Sequence, residues 1–281
     1  MAWFAEELTV GSWYTSMASD DRGVRGKITC VVFDIDGVLI DTARMVSAGQ
    51  ANVIDILGAE SQGRERDILE AWQDLAVTIG GKVSSAFVAC LVDECRLRGI
   101  EVRREVSVYE AFMDGYWRDV EALPGGAELL RWLKDQRIFT GILSNGKRSA
   151  QLRKLELAGL LDWFDEALIE VHEPDSKHAK PDPSKLRELL DKAGVDRVRT
   201  VYVGDRVSDV LTARLCGCGS VLLAAGCDHP NVNTALRVAR ESARDRLLIA
   251  RPDLTVTSLS VLQQWLMVNQ LRDDAAGGLA F

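Results

Sequence analysis

Residues 31–42 read VVFDIDGVLIDT. The segment leading into them, Ile28–Phe33, is short, β-branched and continuously apolar, the pattern of a strand buried on both faces. That strand then runs straight into Asp34, Asp36 and Asp41. Carboxylates set this close disfavour one another's ionisation unless positive charge lies among them. The chain must therefore bring a cation or a basic side chain to the end of this strand.

Outward from this stretch the texture changes twice. From Thr42 to about Val120 the apolar spacing is helical, predicting helices over 43–57, 64–79, 83–98 and 105–120. Gly58, Gly63, Gly80-Gly81 and Gly99 separate them, which suits a small four-helix bundle. Leu123-Pro124-Gly125-Gly126 marks a boundary. Strands are then predicted at 138–143, 167–170, 199–203, 220–224 and 254–257, alternating with helices at 126–136, 147–158, 184–194, 207–216 and 258–268. Such alternation implies right-handed crossovers and a parallel sheet covered on both faces. The expected fold is α/β: a Rossmann-like, doubly wound parallel-sheet core at 27–41 and 122–281, with an all-helical insert at 42–121 and a poorly ordered N-terminal extension at 1–26. The 226–252 connection is longer than a simple loop requires.

Composition narrows the function classes. A net charge of −8 argues against a nucleic-acid or anionic-membrane binder, either of which needs a basic surface. No apolar run approaches the length that spans a bilayer, and the acidic N-terminus lacks the basic and apolar regions of a secretory signal. Six cysteines in 281 residues are too sparse for a disulfide scaffold, so a reduced, cytoplasmic setting is expected. Cys216, Cys218, Cys227 and His229 have the wrong spacing for paired zinc knuckles, and the first two read as small buried hydrophobes. Trp72, Tyr116 and Trp117 fit the apolar stripes of the insert and read as its core.

Open parallel sheets bind ligands beyond the carboxyl ends of their strands. Asp34, Asp36 and Gly37 follow the first predicted strand, and Ser144, Asn145 and Gly146 the second. Lys180-Pro181 lies in the loop after the third, and Gly204, Asp205 and Asp209 follow the fourth. All fall on one edge, so a single crevice gathers carboxylates, a hydroxyl and an ammonium. Asp41 reads either as a helix cap or as a member of this set. His172 and His178 flank the lysine and read as solvated loop residues.

Taken in order, DIDGVLIDT, LSNG, KPDP and VGDRVSD resemble the four motifs of the haloacid dehalogenase (HAD) superfamily. The helical insert between the first two is similar to the C1-type cap of the phosphoglycolate phosphatase and β-phosphoglucomutase branch. The resemblance covers residues 27–268 and implies Mg²⁺ as cofactor. It makes Asp34 the nucleophile, forming an aspartyl-phosphate. Asp34 and Asp205 would give the metal carboxylate oxygens, Asp36 its backbone carbonyl, and Asp209 would orient metal-bound water or Lys180. Asp36 would serve as general acid and base, with a pKa raised by its carboxylate neighbours. Ser144, with the Asn145 N–H and Gly146 beside it, would bind a phosphoryl oxygen, and Lys180 would offset transition-state charge. Gly37 and Gly204 would let the chain turn tightly near phosphate.

A dehalogenase needs no acid at Asp36, because halide leaves without a proton, so this residue points to phosphoryl transfer. The implied function is hydrolysis of a small phosphomonoester. A phosphomutase on the same scaffold, or a non-catalytic binding protein, are the alternatives. In the insert, Gly80-Gly81-Lys82 reads as an interhelical turn or as a loop meeting an anionic substituent of the substrate.

Overall fold

A computed structural model describes residues 26–61, 63–79, 84–100, 102, 105–224 and 251–270. The N-terminal segment, Lys82, Cys227, His229 and most of the 226–252 connection lie outside the described residues. The chain forms β1 (Cys30–Phe33) and then four helices, α1 (Thr42–Ser61), α2 (Glu65–Ile79), α3 (Ser85–Leu97) and α4 (Glu105–Arg118). Next come α5 (Gly126–Asp135), β2 (Phe139–Asn145), α6 (Arg148–Leu157), β3 (Ile169–His172), α7 (Ser184–Ala193) and β4 (Thr200–Gly204). Last are α8 (Val207–Cys216), β5 (Gly219–Leu223), β6 (Leu254–Val256) and α9 (Leu259–Gln270). The α/β architecture with a helical insert between β1 and β2 is the one expected.

The six strands are parallel, in the order β3-β2-β1-β4-β5-β6. The chain moves outward from β1 in one direction, then returns to β4 and moves outward in the other. The order thus reverses between β1 and β4, which opens a crevice beyond their carboxyl ends. Alternation along β1 divides the core. Val31 and Phe33 join Leu129 and Leu133 of α5 and Leu262 and Leu266 of α9, while Cys30 and Val32 join Leu186 and Leu189 of α7 and Ala213 of α8. Cys216 and Cys218 lie in that second layer as buried free thiols, as their reading as small hydrophobes anticipates.

The insert has its own core, with the Trp72 ring 5.0 Å from Phe87 and 5.6 Å from Phe112. Helices α1 and α4 approach closely because Gly49 and Gly115 face each other there. A Cβ on Gly115 would stand 2.4 Å from the Ala48 carbonyl oxygen. Trp117 departs from expectation. It packs against the sheet-side core, and Tyr116 touches both cores. The two crossings into the insert are tied together: Asp41 N donates to Glu121 O at 3.0 Å, and Leu123 N to Leu39 O at 2.7 Å. Asp41 Oδ1 accepts from Arg44 N at 3.0 Å, so this carboxylate caps α1.

Two strand boundaries differ in ways that matter to the site. The third strand starts later than predicted because a 3₁₀ turn, Glu166–Leu168, capped by Asp165, takes up the preceding residues. The second runs on to Asn145, so Ser144 and Asn145 are held by pairing with Val171 and His172 rather than lying in a loop.

Candidate active site

At the end of β1 the Asp34 carboxylate is buried. Its Oδ1 accepts from Ile35 N at 2.8 Å, and its Oδ2 lies 2.9 Å from Lys180 Nζ. The same ammonium reaches Asp209 Oδ1 at 2.7 Å and donates to Tyr202 Oη at 3.0 Å. All three ammonium hydrogens thus have acceptors. The Tyr202 hydroxyl donates to Leu143 O at 2.7 Å, and burial holds its pKa well above the ordinary tyrosine range. Asp209 Oδ2 accepts from Arg206 N at 2.9 Å, which ties this carboxylate to the first turn of α8. With both oxygens engaged, Asp209 is placed to orient Lys180.

Carboxylate oxygens of Asp34, Asp205 and Asp209 lie within 4.8 Å of one another. Gly37 makes this possible: its φ is +77°, and a Cβ there would sit 2.5 Å from Asp205 Oδ2. Gly204 is required for a related reason, because a Cβ would meet the Asp209 side chain. Burial pushes Asp205 up to about 7, and the charges of Asp34 and Asp209 add to the effect. Burial also raises Asp34, with Lys180 pulling the other way. Asp205 Oδ1 is buried without a hydrogen-bond partner. A buried oxygen that accepts no hydrogen bond, with Arg206 Nε no nearer than 3.9 Å, in a cluster of three carboxylates fits a hard divalent cation, so this cluster can hold a metal ion.

Asp36 is arranged differently from expectation. Its carboxylate stands outside that cluster. Its Oδ1 lies 2.5 Å from Lys154 Nζ and accepts from Thr42 Oγ1 at 3.0 Å, and its Oδ2 accepts from Gln151 Nε2 at 2.8 Å. Burial alone would raise its pKa, but the Lys154 charge and these hydrogen bonds outweigh it and hold the carboxyl below its usual range. The predicted rise is therefore reversed, because the neighbour that decides it is a lysine. The opening carboxylates are tolerated by three separate means: Lys180 beside Asp34, Lys154 beside Asp36, and a helix N-terminus at Asp41.

Ser144 is buried, its Oγ lies 3.4 Å from Gln151 Nε2, and its hydroxyl acts to lower the Asp34 pKa. The Asn145 side chain clasps the lysine loop, its Oδ1 accepting from Lys180 N at 2.9 Å and its Nδ2 donating to Lys180 O at 3.3 Å. Gly146 N donates to His172 O at 2.8 Å, which leaves no N–H there for a ligand. His178 is part-buried, with its Nδ1 3.2 Å from Ser184 Oγ, rather than a solvated loop residue. Tyr202, Gln151, Lys154 and the Asn145 side chain also line the crevice, beyond the residues that the sequence motifs point to. For Tyr202 a signal existed: a phenol inside a fully buried strand needs a polar partner.

A family model described as haloacid dehalogenase-like hydrolase matches residues 28–217, a span that includes every side chain in this crevice. The chain belongs to the haloacid dehalogenase-like hydrolases. A second model, HAD-hydrolase-like, matches residues 178–262. Pyrophosphatase PpaX of Bacillus velezensis is 28% identical over 195 residues, 68% of this chain and 81% of that protein. Phosphoglycolate phosphatase of Pseudomonas fluorescens is 25% identical over 205 residues, 71% of this chain and 70% of that protein. The solved structure of a putative β-phosphoglucomutase from Thermotoga maritima superposes with a TM-score of 0.58 at 22% identity, covering 84% of this chain and 99% of that one, and shows the same fold. Among the described residues of this HAD-like hydrolase, no helix is long and apolar enough to cross a membrane.

Proposed function

We propose that this hydrolase is a Mg²⁺-dependent phosphatase of small phosphomonoesters, working through an aspartyl-phosphate on Asp34. The observation that carries the reading is Lys180 held between Asp34 and Asp209 beside a buried Asp205 oxygen that accepts no hydrogen bond. The phosphatase names of the curated relatives support it. Asp34 and Asp205 would hold the metal by carboxylate oxygens and Asp36 by its carbonyl, with Asp209 supporting. Bound there, Mg²⁺ supplies positive charge that lets a phosphate anion approach an ionised carboxylate.

The chain's own residues perform the rest. In the first half-reaction an Asp34 oxygen bonds to phosphorus, the bond from phosphorus to the leaving oxygen breaks, and Asp36 gives that oxygen a proton. In the second, water bonds to phosphorus, the bond from phosphorus to Asp34 breaks, and the water proton passes to Asp36. Ser144 donates to a phosphoryl oxygen, and Lys180 offsets the spreading negative charge. Asp36 is held as an acceptor by Lys154, so an arriving phosphate dianion must supply the field that loads it with a proton. Residues 42–121 would act as the cap that excludes bulk water, Lys82 its candidate substrate contact. A reduced, cytoplasmic setting suits the free thiols among the described residues.

A panel of phosphomonoesters assayed for inorganic phosphate tests the reading. Turnover is expected that needs Mg²⁺ and stops with chelator. Silence across the panel would overturn it, and a sugar phosphate isomerised with little phosphate freed would replace it with a mutase.

A second prediction concerns the metal itself. Metal binding needs Asp205 ionised, yet in the free protein its pKa is raised to about 7. Below that pH the ion must displace a proton, so apparent Mg²⁺ affinity should fall roughly tenfold per pH unit and level off above it. Calorimetry in two buffers of different ionisation enthalpy counts the proton. Binding near pH 6 with none released would contradict the assignment of Asp205.

A further inference from the structure

We propose that Lys154 is a positioning residue that aims the Asp36 carboxylate for leaving-group proton transfer; this rests on the phosphatase reading. The Lys154 side chain is only 6% exposed, although it lies on a helix whose sequence, RSAQLRKLEL, reads as mostly polar. Lysine is almost never buried this far unless it is paired. Its partners explain the burial. Nζ lies 2.5 Å from Asp36 Oδ1 and sits 5.7 Å from the centroid of the Tyr116 ring.

Gln151, one turn earlier on the same face of α6, takes the other oxygen of Asp36. Its Nε2 also lies 3.4 Å from Ser144 Oγ and 3.2 Å from Asn145 O, while its buried Oε1 has no partner. With Asp36 Oδ2 and a backbone carbonyl both requiring a donor, the amide has one sensible orientation. The Asp36 carboxylate is therefore fixed at both oxygens, and one of the two holds it against the Ser144 side of the crevice. Tyr116 belongs to α4, the last helix of the insert, and the adjacent Trp117 ring carries Arg153 at 4.3 Å from its centroid. Consecutive cations of α6 thus dock on consecutive aromatics of α4. The ammonium that aims Asp36 is the same group that touches the insert.

Aiming an acid matters in proportion to the leaving group's need for a proton. An alkoxide leaves badly unless protonated, whereas dinitrophenolate leaves readily. The test is Lys154→Met in the full chain with Mg²⁺, comparing kcat/KM for an alkyl phosphate and for 2,4-dinitrophenyl phosphate. This ratio reports the phosphorylation half-reaction alone. General acid catalysis is worth about 10²–10⁴-fold, so the alkyl ester should lose at least roughly 30-fold more than the aryl ester. Lys154→Arg, which keeps the charge but presents it through a larger, planar group, should show the same skew at smaller size, and it serves if the methionine variant folds poorly. In an Asp36→Asn background, adding Lys154→Met should cost the alkyl ester little more. Equal losses on both esters, or additive losses in the double variant, would reduce Lys154 to a structural ion pair. Turnover that survives Asp34→Asn would instead defeat the phosphatase reading itself, so the two failures are distinguishable.

Discussion

Asp34→Asn lowers phosphomonoester turnover by at least about 10³-fold while leaving the fold in place; the loss of a covalent nucleophile runs as high as about 10⁶ in other enzymes. The structure gives reasons for both halves of this expectation. Asparagine is isosteric, its one carbonyl oxygen can accept from Lys180 or from Ile35 N, and Asp209 still neutralises that buried ammonium. Removing the charge also relieves repulsion with Asp205 and Asp209, whose oxygens share the cluster. What is lost is the oxygen that attacks phosphorus. Steady-state phosphate release measures the fall, and a thermal melt shows that the variant is folded. Acid-quenched enzyme with labelled substrate should carry a hydroxylamine-labile phosphate in the wild type and none in the variant. A fall of less than tenfold in a folded preparation would remove Asp34 from its role.

Much of this site was legible because the fold converts sequence order into position. A parallel sheet places the ends of β1, β2 and β4 along one edge, so polar residues after predicted strands must converge there. Asp34, Ser144, Lys180, Asp205 and Asp209 were found in that way. What stayed hidden depends on side chains meeting across elements. Lys154 lies 118 residues from Asp36, on a helix whose charged residues resemble a solvated face. Nothing in that helix says which of Arg153, Lys154 and Glu156 turns inward. The sign of the Asp36 shift followed the same fault. The visible neighbours were acids, and the deciding one was a base from a distant turn. Helical spacing puts Trp117 on an apolar stripe of the insert, but spacing fixes a face of α4 and not the layer that covers it. The Asn145 clasp was missed because its motif suggests the backbone N–H, while the side chain is what holds the lysine loop.

Lys180→Met carries the largest expected effect on stability, because this ammonium is the hub of the buried charges. Methionine keeps the volume of the stem but leaves Asp34 and Asp209 facing each other without a cation. Breaking a buried pair by removing one partner costs about 3–5 kcal/mol, and chemical denaturation near pH 8 should show a loss of that order. The sign with pH follows from the shifts. Lys180 is raised above its ordinary value by Asp34 and Asp209 against the opposing effect of burial, so its contribution is present below the unfolded lysine pKa. It is lost only as pH rises through the folded one. On the acid side Asp34 is already raised by burial, and without the ammonium it rises further. Protonation then relieves the variant, so its deficit should narrow as pH falls from about 8 to about 5. Mg²⁺ should restore more stability to the variant than to the wild type, because the cation takes over neutralisation of the same acids. Turnover should stay depressed by about 10²–10³-fold even so, since a cation that restores the fold does not replace the fixed positive charge that Lys180 sets against the transition state. A variant within about 1 kcal/mol of wild type at pH 8 would mean that these carboxylates do not depend on Lys180, and the electrostatic account of the crevice would fall with it.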